Sequence, residues 1–198
     1  VTPALQRYHG VAMSLHWLIA LCIIFNLIMG LLFDLIPRPE RIWWIQLHKS
    51  IGIVVLGLTC IRIFWRLTQG VPPEPASLKR WEVVASNAVH FLLYVLMFAI
   101  PFSGWLLVSS SPLHLPTFLF WTIPWPNLPF FENVSDLRAV SHQMRDLHKY
   151  LAYGMIALLG MHVGAALRHH WILKDEVIMR MTPRFLEGFL RFLRGEKA

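Results

Sequence analysis

Residues 146–168 read DLHKYLAYGMIALLGMHVGAALR, an apolar run that carries two histidines, His148 and His162. At about 1.5 Å per helical residue the run is long enough to cross a bilayer core of roughly 30 Å. Fourteen residues at 100° each return His162 to within ~40° of the His148 face and ~21 Å further along the axis. Imidazoles are costly in hydrocarbon, so two on one stripe point into a protein interior and have a task there. Two flat cofactors stacked through the membrane suit the spacing. One helix supplies at most one ligand to each, so partner ligands are expected on other helices.

The rest of the chain has the same character. Of 198 residues, 56% are hydrophobic and only 15% charged, and the mean hydropathy is +0.53. A soluble domain carries about a quarter charged residues. Apolar runs place spans at about 11–33, 43–66, 83–108 and 141–168. The expected fold is all-α: a four-transmembrane-helix bundle with antiparallel neighbours, in contact with the lipid bilayer. The first run ends in Phe33-Asp34-Leu35 with no small-residue cleavage site, so it is expected to remain as a membrane anchor.

Proline marks the links. Pro37 and Pro39 interrupt helix after the first span, and Pro72, Pro73 and Pro75 lie in the second link. Pro101 and Gly104 predict a kink near the end of the third span. The long connection over 109–139 interleaves five prolines with Phe118, Phe120, Trp121, Trp125, Phe130 and Phe131, and is expected to cap the bundle at the membrane surface. Residues 1–184 form one expected domain, and 185–198 an amphipathic tail. Phe185, Leu186, Phe189, Leu190 and Leu193 alternate there with Arg184, Glu187, Arg191 and Arg194, as in a helix lying on a membrane or docking a partner.

The net charge of +7 does not point to nucleic acid, because the cations flank apolar spans and form no recognition module. Counting them gives orientation. Arg7, Arg62, Arg66, Lys79, Arg80, Arg168, Lys174, Arg180, Arg184, Arg191, Arg194 and Lys197 fall on one side, and Arg38, Arg41, Lys49, Arg138, Arg145 and Lys149 on the other. Both termini are therefore expected to be cytoplasmic. Cys22 and Cys60 lie in apolar runs and belong to no Cys-x-x-Cys-His sequence, which excludes covalent c-type haem attachment.

There are ten histidines, and depth sorts them. His16 and His90 fall early in the first and third spans, at the cytoplasmic side. His48 falls early in the second, at the opposite side. Depth groups His48 with His148, and His162 with His16 or His90. Two pairs at two depths are what two b-type haems require, each iron taking an imidazole above and below. Gly30, fourteen after His16, and Gly52, four after His48, could leave room for a porphyrin. Arg62 and Arg66 return to the His48 face at cytoplasmic depth, where a haem propionate would pair with them. Lys49, Arg145 and Lys149 on the outer side could hold the other propionates or attract a small anion. His90 is either a hydrogen-bonding residue or a ligand. His9, His114, His142, His169 and His170, near ends or in loops, are expected to be solvated. A reading from another class is a proton or metal transporter that uses the histidines directly.

The ordered set of motifs resembles the bacterial cytochrome b561 family. It comprises Ser14-Leu15-His16-Trp17-Leu18, Leu47-His48-Lys49-Ser50-Ile51-Gly52-Ile53, Ile61-Arg62 with Arg66-Leu67, Val89-His90-Phe91-Leu92-Leu93-Tyr94 and Ile100-Pro101-Phe102-Ser103-Gly104. Leu147-His148, Met161-His162, His169-His170 and Arg180-Met181-Thr182-Pro183-Arg184 complete it. The resemblance covers nearly all of residues 7–184. It implies a di-haem cytochrome of the bacterial inner membrane linked to a quinone, with His16 and His162 as one axial pair and His48 and His148 as the other. It further implies oxidation of superoxide at the periplasmic face with electrons passed to ubiquinone or another membrane quinone. A membrane subunit that accepts electrons from a separate periplasmic redox protein is the alternative. The tail beyond Arg184, Lys49 and Lys149 depart from the family's pattern.

Overall fold

A computed structural model describes residues 6–75, 78–113 and 116–195. His114 and Lys197 lie outside them. Four helices are long and apolar enough to cross a membrane: α1 (Gly10–Leu32), α2 (Arg38–Gln69), α3 (Arg80–Ser109) and α4 (Leu137–Arg168). A fifth, α5, spans Arg184–Leu193.

Helix α2 begins about five residues before the expected span because Pro39 does not break it. Pro39 sits in its first turn, where an amide hydrogen has no intrahelical partner to lose. Pro101 likewise lies inside a helix that continues through it. His9 caps α1, its Nδ1 accepting the Val11 amide at 3.2 Å.

The helices pack in chain order, α1 on α2, α2 on α3, and α3 most extensively on α4. Much of their surface is apolar and outward-facing, including Leu21, Ile28 and Leu31 of α1 and Phe91 and Val95 of α3. Lipid is as apolar as these side chains, so helix association rests on close packing rather than on removal from water. The packed core is small: Ile19, Met97 and Met155, surrounded by Ile23, Leu27, Leu58, Leu93, Tyr94, Leu96 and Ile100. It lies midway between the two histidine depths.

The long connection contains a short hairpin absent from the sequence reading, β1 (Thr117–Leu119) antiparallel to β2 (Ile123–Trp125). Its turn places Phe120 and Trp121 at φ 47° and 62°, left-handed values uncommon for bulky residues. Contacts to α2 hold it there. Ser50 Oγ accepts the Phe120 amide at 2.9 Å, Gln46 Nε2 donates to the Pro116 carbonyl at 3.0 Å, and Trp121 stacks on Trp43 at 4.4 Å. The far side of the connection is tied to α3, where Trp105 Nε1 donates to the Pro126 carbonyl and Ser109 Oγ accepts the Leu128 amide, both at 2.9 Å.

At the opposite end the N-terminal segment, the α2–α3 link and the tail meet. Buried Arg180 donates to the carbonyls of Gln6 at 2.9 Å and Pro73 at 2.7 Å, Trp17 Nε1 donates to the Met181 carbonyl at 2.8 Å, and Arg7 pairs with Glu187. The first and last described residues therefore lie at the same end of the bundle, as an even number of crossings requires.

His169 and His170 correct the expectation of solvated histidines, being only 8% and 1% exposed. After Arg168 the backbone widens into a π-turn over His169–Leu173. That turn tucks both rings inward while Asp175 reaches His169 Nδ1 at 2.6 Å.

Candidate functional site

The fourteen-residue step seen first on α4 recurs on every spanning helix. Helix α1 carries His16 and Gly30, α2 carries His48 and Arg62, α3 carries His90 and Gly104, and α4 carries His148 and His162. Each step is about four helical turns and returns to nearly the same face. The bundle therefore holds two layers, Gly30, His48, Gly104 and His148 in the one expected to be outer, and His16, Arg62, His90 and His162 in the one expected to be inner.

In the outer layer the rings of His48 and His148 face one another with centroids 6.2 Å apart. In the inner layer His16 and His162 stand 6.1 Å apart. A metal clamped between two imidazoles sets their ring centres roughly 6 Å apart, given metal–nitrogen bonds of ~2.0–2.1 Å. Both pairs have that separation, on helices that fix it independently. His90 is closer to His162, at 5.2 Å.

The surroundings of the outer pair suit a flat ligand. Gly104 lies against His148 so closely that a Cβ there would sit 3.1 Å from its Cε1, and one at Gly30 would sit 3.8 Å from His48 Cε1. The His148 Nδ1 edge faces Ser103 Oγ at 3.0 Å and the Ile100 carbonyl at 3.1 Å. That fixes the ring and leaves Nε2 available, the usual dress of a metal-bound histidine. His48 Nδ1 is buried with no hydrogen-bond partner among the described residues, and Asn26 donates to the His48 backbone carbonyl at 3.1 Å. A Cβ at Gly52 would meet Asn26 Nδ2 on α1 at 3.6 Å.

Around the inner pair, Arg62 Nε donates to Tyr94 Oη at 3.1 Å and Nη1 to the Ala12 carbonyl at 2.6 Å. Among the described residues, three of its five donors remain for an anionic group. Arg66 makes no side-chain hydrogen bond among the described residues and lines a small pocket with Arg62, Tyr8 and Tyr94. Between α1 and α4 an apolar cleft of about 320 Å³ opens toward lipid, bordered by Ile24, Ile28 and Leu31 on one side and Ile156, Gly160 and Val163 on the other.

The three outer cations are not equivalent. Lys49 is half-buried and donates to Thr117 Oγ1 in the hairpin at 3.0 Å. Arg145 and Lys149 are exposed, with Lys149 Nζ over the Tyr153 ring at 5.8 Å.

The sequence reading passed over Asn26, Tyr94, Ser103 and the cradle role of Gly104. Gly104 had a signal, lying fourteen residues after His90 as Gly30 lies fourteen after His16. Asn26 had another, being an amide within an apolar span.

Comparison with known proteins identifies the family. The family model described as prokaryotic cytochrome b561 matches residues 7–184. Cytochrome b561 homolog 2 of Escherichia coli is 30% identical over 182 residues, covering 90% of this chain and 93% of that protein. The probable superoxide oxidase CybB of Yersinia pestis is 27% identical, covering 90% and 97%. Cytochrome b561 homolog 1 of Escherichia coli is 27% identical, covering 91% and 99%. The chain belongs to the prokaryotic cytochrome b561 family, multi-pass membrane proteins of electron transfer whose name implies haem b.

Proposed function

We propose that this protein is a di-haem cytochrome of the bacterial inner membrane that moves electrons from a periplasmic donor, superoxide, to a membrane quinone. The supporting observation is the repetition of one geometry: two imidazole pairs of near-identical separation, one step of fourteen residues apart on α4. His48 and His148 would hold one haem b, and His16 and His162 the other. His16 is preferred to His90 because its 6.1 Å separation from His162 matches the 6.2 Å of the other pair, whereas His90 stands at 5.2 Å.

Haem, when bound between two imidazoles, supplies reversible one-electron chemistry with no coordination position left for oxygen. The chain does the rest. Ser103 and Ile100 keep His148 in one orientation, and Gly30 and Gly104 keep side chains out of the space beside the outer pair. Arg62 and Arg66 place positive charge beside the inner pair, where a propionate would be neutralised. Two superoxide anions each give up one electron, and one quinone takes up both with two protons.

Residues 1–184 act as one domain. Both termini lie in the cytoplasm, on the side richer in Lys and Arg. The tail lies on the inner leaflet through Phe185, Phe189 and Phe192, which are exposed while Glu187 and Arg191 turn to the body.

Two measurements test this. A pyridine haemochrome assay should give two haems per chain, falling to one in His148→Ala or His162→Ala, and undiminished pigment with both replaced refutes the site. For the donor, Arg145→Glu with Lys149→Glu should slow superoxide oxidation about 10-fold at low salt and flatten its salt dependence. An unchanged rate and salt slope remove superoxide as the donor. A separate periplasmic redox protein would then be favoured by the exposed Phe120, Trp121 and Ile123 of the hairpin.

A further inference from the structure

We infer that His90 is a positioning residue for His162, holding that ring edge-on from α3. The inference rests on the assignment of His16 and His162 as the inner pair.

Helix α3 supports both histidines of α4. In the outer layer it does so with Ser103 Oγ and the Ile100 carbonyl, both at the Nδ1 edge of His148. No hydrogen bond of that kind reaches His162 among the described residues. Its neighbour on α3 is the His90 ring, 5.2 Å away between centroids and inclined at 71°. That is an edge-to-face contact, which sets the positive rim of one ring against the electron-rich face of the other.

His90 is itself held. Ser86 Oγ, one turn earlier on the same helix, lies 3.3 Å from its Nδ1. A chain of contacts therefore runs from Ser86 through His90 to His162, and His16 stands 6.1 Å from His162. Partners behind a metal-bound imidazole set its ring orientation and basicity, and through them the electronic properties of the metal. The fourteen-residue step from His90 to Gly104 then gains a meaning. On α3 the outer layer has a glycine against which the His148 ring lies, and the inner layer has a ring that contacts His162.

The test uses the full-length haem-loaded protein in lipid nanodiscs, with His90→Ala, His90→Phe and Ser86→Ala. Haem per chain, the low-spin ferric EPR signals and a redox titration are read together, the inner signal being the one lost in His16→Ala. His90→Ala should keep the wild-type haem count while moving the inner signal and its midpoint potential, with the outer haem unmoved. His90→Phe, which retains an aromatic edge, should restore the inner EPR position. Ser86→Ala should give a smaller shift in the direction of His90→Ala. Loss of a haem in His90→Ala overturns the inference by making His90 a ligand. An inner signal unmoved in His90→Ala overturns it alone, whereas His16→Ala protein that keeps both haems and both EPR signals refutes the pairing beneath it as well.

Discussion

Gly104→Ala is the most direct probe of the outer layer. Its new Cβ would lie 3.1 Å from His148 Cε1 and 3.4 Å from Nδ1. Favourable carbon contacts begin near 3.5 Å, so the ring must retreat by about half an ångström. It is not free to do so, because Ser103 Oγ and the Ile100 carbonyl hold Nδ1 at 3.0 and 3.1 Å. Disturbing a hydrogen bond costs about 1 kcal/mol, and overpacking a fitted interior about 1–3 kcal/mol. A central ~2 kcal/mol corresponds to a roughly 30-fold weaker hold on haem at this layer. The control is Gly57→Ala, whose Cβ would meet no atom within 4 Å. Transfer of haem to an apo-globin acceptor, followed by difference spectra, measures retention at each layer. Gly104→Ala should release the outer haem faster while the inner one stays, and Gly57→Ala should match wild type. Equal retention in the two variants would refute the assignment of Gly104 to the cradle.

Two more outcomes follow from contacts outside the histidine layers. Ser50→Ala removes the acceptor for the Phe120 amide, so the left-handed turn at Phe120 and Trp121 should loosen. Losing ~1 kcal/mol there raises hydrogen exchange over residues 117–125 about 5-fold, with α2 itself unchanged. At the other end, hydrogen bonds from Arg191, with Arg7 beside it, hold the Glu187 carboxyl below its ordinary range. A depressed carboxylate contributes stability that is fully present above its unfolded pKa and is lost as pH falls through the folded one. Docking of α5 should therefore be constant at neutral pH and weaken below about pH 4.5. Limited proteolysis of the tail across pH 3–7 checks this. Glu187→Gln should be cleaved more readily at pH 7 and show little further change with pH.

Much of the fold was legible because bilayer thickness acts on sequence directly. A span must be long, apolar and helical to satisfy its own backbone, so four runs gave four helices. The two depths of the histidines were legible for a related reason, since polar residues in such runs are few and their depth can be counted. What could not be read depended on contacts distant in sequence. The hairpin at 117–125 is held by Ser50, Gln46 and Trp43, about seventy residues away in the chain, and local composition around it reads only as loop. The burial of His169 and His170 depends on the return of the chain at Asp175 and beyond. Lys49 looked like a free outer cation because nothing nearby predicts Thr117 as its partner.

The layers also explain why α4 decides the reading and yet cannot complete it. Helix α4 alone carries an imidazole at both depths, so it fixes the vertical spacing of the site. Its partners differ: the outer ring is met from α2, and the inner one from α1 and α3. Depth counting could pair His148 with His48 because no other outer histidine competes. It could not choose between His16 and His90, which share the inner depth on different helices. Lateral packing bears on that choice, since the His16–His162 separation of 6.1 Å matches the 6.2 Å of the outer pair and the His90–His162 separation of 5.2 Å does not. A periodicity read along one helix gives height, and only the packing between helices gives direction.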